Sequence, residues 1–330
     1  MRIFSGIQPT GRKHLGNYIG AIQQYVDGQS RGDALYCIVD LHATTVPYEP
    51  ADLRRYLYDT TALLLAAGLD PERCTLFRQS DIPEHSELCW LLCSVTAQGE
   101  LNRMTQFKDK SLKQKDALIS AGLFLYPVLQ AADILLYKTD EVPVGDDQRQ
   151  HIELARNIAE RFNERFGQTL VVPRHRIPEV GARIMDLQAP DQKMSTSSST
   201  EGGTLYVLDE PKAAAKKLKS AVTDSGSEIA YSPDKPGISN LLEIMAAIQG
   251  KKPAGVAAEF AGQRYGDLKV AVADAVVAYL APVRERYLLL RSDEGRLEQA
   301  LATGAGKARA IARQTLTEVQ ERMGIGRRHA

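Results

Sequence analysis

The sequence is short of several things, and each shortage removes a class of protein. Four cysteines in 330 residues (Cys37, Cys74, Cys89 and Cys93) are too few and too scattered for a disulfide framework. Cys89 and Cys93 stand four apart on one helix face, but no His or Cys pair at finger-like spacing joins them. Cys89 and Cys93 are therefore expected as buried thiols rather than metal ligands. No apolar run approaches the roughly 18 residues of a membrane span. The opening MRIFSGIQPT reads as a strand and a turn, without the apolar stretch of a signal peptide. A cytoplasmic protein with no membrane partner is the expectation. Charge of neither sign is in excess, since 41 Lys and Arg balance 41 Asp and Glu. Bulk charge therefore gives no reason to expect DNA, and any RNA contact must come from local basic patches. Tryptophan occurs once, and Trp90, within ELCWLLC, is expected in the core.

What is present suits a globular enzyme. Hydrophobic residues make up 44% of the chain, enough for a sizeable core. A length of 330 residues suggests two domains of about 150 residues each. The first half alternates. Strand patterns at 2–7, 34–40, 75–80 and 140–145 are interleaved with helical patterns at 17–26, 51–68, 84–95 and 146–162. Such alternation predicts a parallel sheet with helices on both faces, an open doubly wound α/β fold of Rossmann-like kind that binds ligands at the carboxyl ends of its strands. Residues 103–120 break the pattern with five basic residues and little apolar content, and read as a mobile inserted loop. Beyond about residue 205 only helical periodicity remains, at 211–222, 238–250, 266–290 and 310–324. In the last, Ala312, Leu316, Val319 and Met323 form a stripe. The expected organisation is a catalytic domain over 1–190, then a polar loop and an all-helical domain over 191–330, with the last helix packing back on the catalytic domain.

Several clusters carry possible chemistry. In GIQPTGRKHLGNYIG (6–20), Gly11 and Gly16 permit tight turns ahead of a helix that starts near Asn17. Free N–H groups at such a start suit a phosphate, with His14 as a donor that can be charged and Gln8 as an amide; an ordinary capped loop accounts for the same spacing. The turn is neither a dinucleotide fingerprint nor a P-loop. In YPVLQAAD, Tyr126, Gln130 and Asp133 fall on one helix face among apolar residues, so they must find partners inside the protein or on a ligand. Asp146 and Asp147 in VGDDQ suit a helix N-terminus, and also sugar hydroxyls or an ammonium group. His42 closes the second strand and is readily a satisfied structural histidine. DQKMSTSSST (191–200) places Lys193 and Met194 at the head of a small polar loop, which a mere linker does not explain.

Together these segments resemble the class I aminoacyl-tRNA synthetases, and among them the bacterial tryptophanyl-tRNA synthetases. HLGN at 14–17 is similar to the HIGH signature, and KMSTS at 193–197 to the KMSKS loop. SGIQPTG, MTQFK, AADILLY, VPVGDDQ, ARIMDL, SAVTDS and KPGISNL follow the family's order along essentially the whole chain. The resemblance implies activation of L-tryptophan by ATP to tryptophanyl-adenylate, then transfer to tRNA(Trp), by a homodimer. Mg²⁺ would arrive on the ATP phosphates, with no protein metal site and no tightly bound cofactor. Gln8, Pro9, Thr10, Gly16 and Asn17 match residues on ATP. Gly145, Asp146 and Asp147 match the ribose segment, and Ile184 a backbone contact to adenine. Lys193, Met194, Ser195, Thr196 and Ser197 form the closing loop. Lys193, Lys110 and Gln8 match the groups that act on the phosphates. Asp133 matches the acceptor of the indole N–H, and Tyr126, Gln130 and Gln148 line the amino acid. Phe4, Gly6, His42, Val142 and Val144 match the pocket walls.

Two positions depart from the pattern. Thr196 stands where KMSKS has its second lysine, which implies weaker ATP binding. Gln130 completes a comb with Tyr126 and Asp133 that tyrosyl-tRNA synthetases also present, so tyrosine is the rival substrate. Phe4, the tryptophan-type segments and the want of an appended C-terminal RNA-binding domain speak against it. A small-molecule nucleotidyltransferase would not need the KMSTS loop, and a synthetase-like regulatory protein has only the lost lysine in its favour. For tRNA, the basic helix KAAAKKLK (212–219) and the last thirty residues, with six Lys or Arg against two acids, are either contact surfaces or solvated faces.

Overall fold

A computed structural model of the chain describes residues 1–105, 120–145, 148–176, 184–195 and 200–326. Five parallel strands form one sheet: β1 (Arg2–Ile7), β2 (Asp33–Ile38), β3 (Thr75–Arg78), β4 (Glu141–Pro143) and β5 (Arg174–Arg176), in the order β3-β2-β1-β4-β5. The alternation of the first half thus gives the parallel sheet it predicts. β5 carried no strand signal, because it is a three-residue edge strand of Arg, His and Arg. Charge is what an edge needs and what hides it from a hydrophobic pattern.

The helices in chain order are α1 (Leu15–Asn17), which runs through a π-helical turn (Tyr18–Ile22) into α2 (Gln23–Gly28), α3 (Asp40–Ala43), α4 (Pro50–Ala67), α5 (Glu84–Cys93), α6 (Gln98–Asn102), α7 (Ala121–Leu135), α8 (Arg149–Phe166), α9 (Pro211–Lys219), α10 (Pro236–Gln249), α11 (Pro253–Glu259), α12 (Tyr265–Arg291) and α13 (Glu294–Met323). The chain divides into two compact units. One comprises Met1–Thr10, Tyr25–Ile177 and Asp293–Ala330, and the other Gly11–Gln24 and Pro178–Ser292.

The first unit holds the sheet. Its core joins Leu35, Cys37 and Phe77 of the strands to Val128 and Ile134 of α7, Ile158 and Phe162 of α8, and Ala308 and Ala312 of α13. α13 is one 30-residue helix rather than the short one expected at 310–324. Its apolar stripe reaches back through Leu301 and Leu297, but Gly295, Gly304 and Gly306 weaken the periodic signal there. Gly304 is the residue that lets α13 lie on β3, since a Cβ at this position would overlap the carbonyl oxygen of Leu76. Trp90 corrects the expectation of a core residue: it is 76% exposed, on the outer face of α5. Cys89 and Cys93, expected as buried thiols, are only half-buried, whereas Cys37 and Cys74 are buried. β1 and β4 are neighbours in the sheet, and from them the strand order runs outward in opposite directions. Their carboxyl ends, Gly6 to Gln8 and Val144 to Gly145, therefore flank the switch point at which such sheets bind ligands.

The second unit is helical, as the fading strand signal predicts. α9 and α10 both pack on α12, and α11 packs on α10. No described helix is long and apolar enough to cross a membrane.

Candidate active site

In the first unit the site is built round α7. Ser120 caps this helix, its Oγ accepting the Leu123 N–H at 3.1 Å, and Leu123, Val128, Ala131, Ala132, Ile134 and Leu135 bury it on nearly every side. A carboxylate on such a helix has to be satisfied from within. Asp133 is 1% exposed and receives three donors: Gln79 Nε2 to Oδ1 at 2.7 Å, His85 Nδ1 to Oδ1 at 2.7 Å, and His42 Nε2 to Oδ2 at 2.8 Å. Burial alone would raise its pKa, but facing His42 and His85 it is held well below the usual carboxylate range. Asp133 is thus an acceptor only. Oδ1 carries two of the three donors, and Oδ2 keeps a second lone pair.

The other residues expected round tryptophan gather along the same helix. The Tyr126 hydroxyl meets His151 Nε2 at 2.9 Å, and its ring stands edge-on to His42, with centroids 6.2 Å apart. Burial pushes the Tyr126 hydroxyl up to about 12, so it stays protonated. Gln130 Nε2 donates to Gln148 Oε1 at 3.5 Å. Phe4, on β1, stacks against Tyr137 at 5.5 Å. Val142 lies buried on β4 and Val144 is half-buried just beyond it. Gly6 is exposed at the end of β1, where a Cβ would press on Val39 at 2.9 Å. Gln8 is half-buried, Pro9 buried and Thr10 exposed, while Gly145 follows β4 in the same unit.

The residues of the second unit expected round ATP form their own group. His14 caps α1. Its Nδ1 accepts the Asn17 N–H at 3.2 Å, and Asn17 Oδ1 accepts the His14 N–H at 3.3 Å. Nδ1 being the acceptor, the ring proton belongs on Nε2. Burial first, and then the charges of Lys193 and Lys13, bring the His14 pKa down to about 4. The donor that the sequence left free to carry charge is therefore a neutral imidazole near pH 7. Gly16 lies against the His14 ring and Ile184: a Cβ there would be 3.0 Å from the ring and 3.5 Å from Ile184 Cβ.

Ile184 and Lys193 belong to two short antiparallel segments, bridged at Met185 and Lys193 and closed by the Met194 N–H donating to the Ile184 carbonyl at 3.1 Å. Met194 is buried and Lys193 exposed at this bridge. From α10, Asn240 pairs with both backbone groups of Met185, at 2.8 and 2.9 Å, as a neighbouring strand would. Thr204 Oγ1 then holds the Ser195 carbonyl at 3.2 Å.

His14, Gly16, Asn17, Ile184, Lys193 and Met194 are therefore brought together in one unit, and Tyr126, Gln130, Asp133, Gln148 and His42 in the other. Lys110, Asp146, Asp147, Thr196 and Ser197, with most of the expected 103–120 insert, lie outside the described residues. Sequence reasoning missed Gln79, His85, Tyr137, His151 and Asn240. Gln79 had a weak signal, an amide just past the carboxyl end of a buried strand. The others had none, because their partners are 25 to 55 residues away. Among the described residues no group of three or more His, Cys, Asp or Glu could hold a metal ion.

Residues 1–281 match the family described as tRNA synthetases class I (W and Y). Tryptophan–tRNA ligase 2 of Streptomyces avermitilis is 54% identical over 326 residues, covering 98% of this chain and 97% of that protein. Among solved structures, tryptophanyl-tRNA synthetase from Mycoplasma pneumoniae superposes with a TM-score of 0.90 at 36% identity, covering 98% of both chains. The enzyme from Campylobacter jejuni, complexed with ADP and tryptophan, gives a TM-score of 0.84 at 35% identity, covering 98% of this chain and 100% of that one.

Proposed function

The chain belongs to the class I tRNA synthetases of the tryptophan and tyrosine kind, and we infer from this that it acts as a tryptophan–tRNA ligase. It joins L-tryptophan to ATP, releases pyrophosphate and transfers the tryptophanyl group from the adenylate to tRNA(Trp). The observation that carries the choice of amino acid is 54% identity to a tryptophan–tRNA ligase over almost the full length of both chains. The tyrosine reading, which rested on the Tyr126–Gln130–Asp133 comb, is not favoured.

The chemistry asks little of the protein beyond placement. The tryptophan carboxylate is already a nucleophile at neutral pH, so the first step needs no general base. It attacks the α-phosphorus of ATP, which enters as its Mg²⁺ complex, and catalysis consists of alignment and charge stabilisation. Asp133 takes the indole N–H on Oδ2. Tyr126, Gln130 and Gln148 orient the ammonium and carboxylate, and Phe4, Gly6, His42, Val142 and Val144 wall the ring. Gly16 and Ile184 receive the adenine and Met194 packs beside it. His14 supplies a neutral Nε2–H to the phosphates, and Lys193 and Lys110 supply positive charge. Gln8, Pro9, Thr10 and Asn17 complete the ATP contacts, Gly145, Asp146 and Asp147 hold the ribose, and Ser195, Thr196 and Ser197 belong to the loop that closes.

Residues 1–190 carry activation, and 191–330 comprise the closing loop, the helical domain on the anticodon side of the tRNA and a last helix that packs back on the catalytic domain, in a cytoplasmic homodimer. On α9, Lys212, Lys216 and Lys219 are exposed and would meet the phosphates of a bound tRNA, whereas Lys217 is tied to Asp209 at 2.7 Å and the Thr204 carbonyl at 2.9 Å. Charging of tRNA(Trp) with labelled tryptophan in the presence of Mg²⁺ and ATP tests the whole reading. Ester formation at the tRNA 3′ end is the expected result, and adenylate without charged tRNA would contradict it.

A further inference from the structure

Asp133 is held by more of the protein than its own reaction requires. Behind its Oδ1 lies a buried relay. The Tyr137 hydroxyl meets His85 Nε2 at 2.7 Å, and His85 Nδ1 meets Asp133 Oδ1 at 2.7 Å. Tyr137, His85 and Gln79 are all fully buried. An ionised carboxylate only accepts, so His85 Nδ1 donates to it, and the other ring nitrogen is held by the Tyr137 hydroxyl. Burial raises the Tyr137 hydroxyl well above its ordinary pKa, which keeps it protonated. Tyr137 also stacks on Phe4, a wall of the tryptophan pocket, so the ring that holds His85 is itself positioned by the pocket.

We propose that His85, held at Nε2 by Tyr137 and sharing Oδ1 of Asp133 with Gln79, is a positioning residue for amino-acid specificity: it turns Asp133 so that the remaining lone pair of Oδ2 is offered to the indole N–H. With Oδ1 anchored by two donors and Oδ2 by His42 the carboxyl is held in one orientation, and a side chain without an N–H leaves the remaining acceptor position of this buried charge unmet. An acceptor position desolvated without its donor is what makes such a pocket selective. This inference rests on the tryptophan reading above.

The test compares pyrophosphate exchange driven by tryptophan with exchange driven by 3-benzothienylalanine, in which sulfur replaces the N–H. The His85→Leu variant should lose roughly 10- to 100-fold of the wild-type preference for tryptophan, through the KM for tryptophan, with the KM for ATP and activity on the sulfur analogue little changed. His85→Asn, whose amide N–H₂ stands where ring Nδ1 stands, should recover most of that preference. Should His85→Leu fail to fold, Tyr137→Phe removes one oxygen only and should lower the preference several-fold. Equal losses on both substrates, or an Asn variant no better than Leu, would mean a merely structural role and overturn the proposal. A wild-type enzyme that accepts both substrates alike would overturn it as well, while absence of any tryptophan-driven exchange would instead sink the tryptophan reading itself.

Discussion

At the scale of single residues, the account rests on two groups whose protonation is fixed by their surroundings. Asp133 has three donors and is ionised, so Asp133→Asn turns an acceptor into a partial donor facing His42, His85 and Gln79. We expect kcat/KM for tryptophan to fall by about 100-fold or more, with the KM for ATP unchanged; a loss shared equally between the two substrates would contradict the assignment. His14 makes a pH prediction. Its imidazole ordinarily takes a proton near pH 6.5 but here only near 4. Between those values the unfolded chain binds more protons than the folded one, so stability is complete above pH 6.5 and declines as pH falls towards 4. The decline from this one group is on the order of 3 kcal/mol. Urea unfolding at pH 4.5 and 7 should show it in the wild type and a smaller difference in His14→Asn, which keeps the cap; identical slopes would count against the buried neutral ring. Thr196 is the residue where the chain departs from KMSKS. Restoring the charge with Thr196→Lys should lower the KM for ATP, and an unchanged KM would mean that the position contributes little.

At the scale of elements, close approach decides more than propensity does. α13 reaches β3 only because Gly304 has no Cβ, whereas Gly306, two residues on, faces open space. Gly304→Ala should therefore destabilise the protein by about 2–4 kcal/mol. Gly306→Ala, an exposed helix-interior change, should stabilise it by roughly 0.5–1 kcal/mol. Chemical denaturation of the two variants separates packing from propensity, and similar effects of both would refute the close contact. The same glycine explains why only the last part of α13 was legible: a stripe that passes through Gly304 loses its apolar mark just where the contact is tightest. The long helices α4, α8 and α12 were visible because their apolar faces recur without interruption. β5, three charged residues at a sheet edge, had no pattern to show.

At the scale of the whole molecule, the parallel sheet and the helical second half could be anticipated because alternation and its loss are spread over a hundred residues or more. The candidate site was legible only where residues carry a local motif. HLGN and KMSTS announce themselves, and YPVLQAAD sets three polar side chains on one helix face. Gln79, His85, Tyr137 and Asn240 do comparable work without any signature, since a hydrogen bond across 50 residues leaves no trace in spacing. The local motifs alone do not separate tryptophan from tyrosine, because a carboxylate that accepts an indole N–H can accept a phenol as well. Amino-acid-dependent ATP–pyrophosphate exchange, with tryptophan and tyrosine run side by side on the wild-type protein, is therefore the decisive measurement. Exchange with tryptophan and none above background with tyrosine is the predicted result; exchange driven by tyrosine, or by neither amino acid, would contradict the account at its centre.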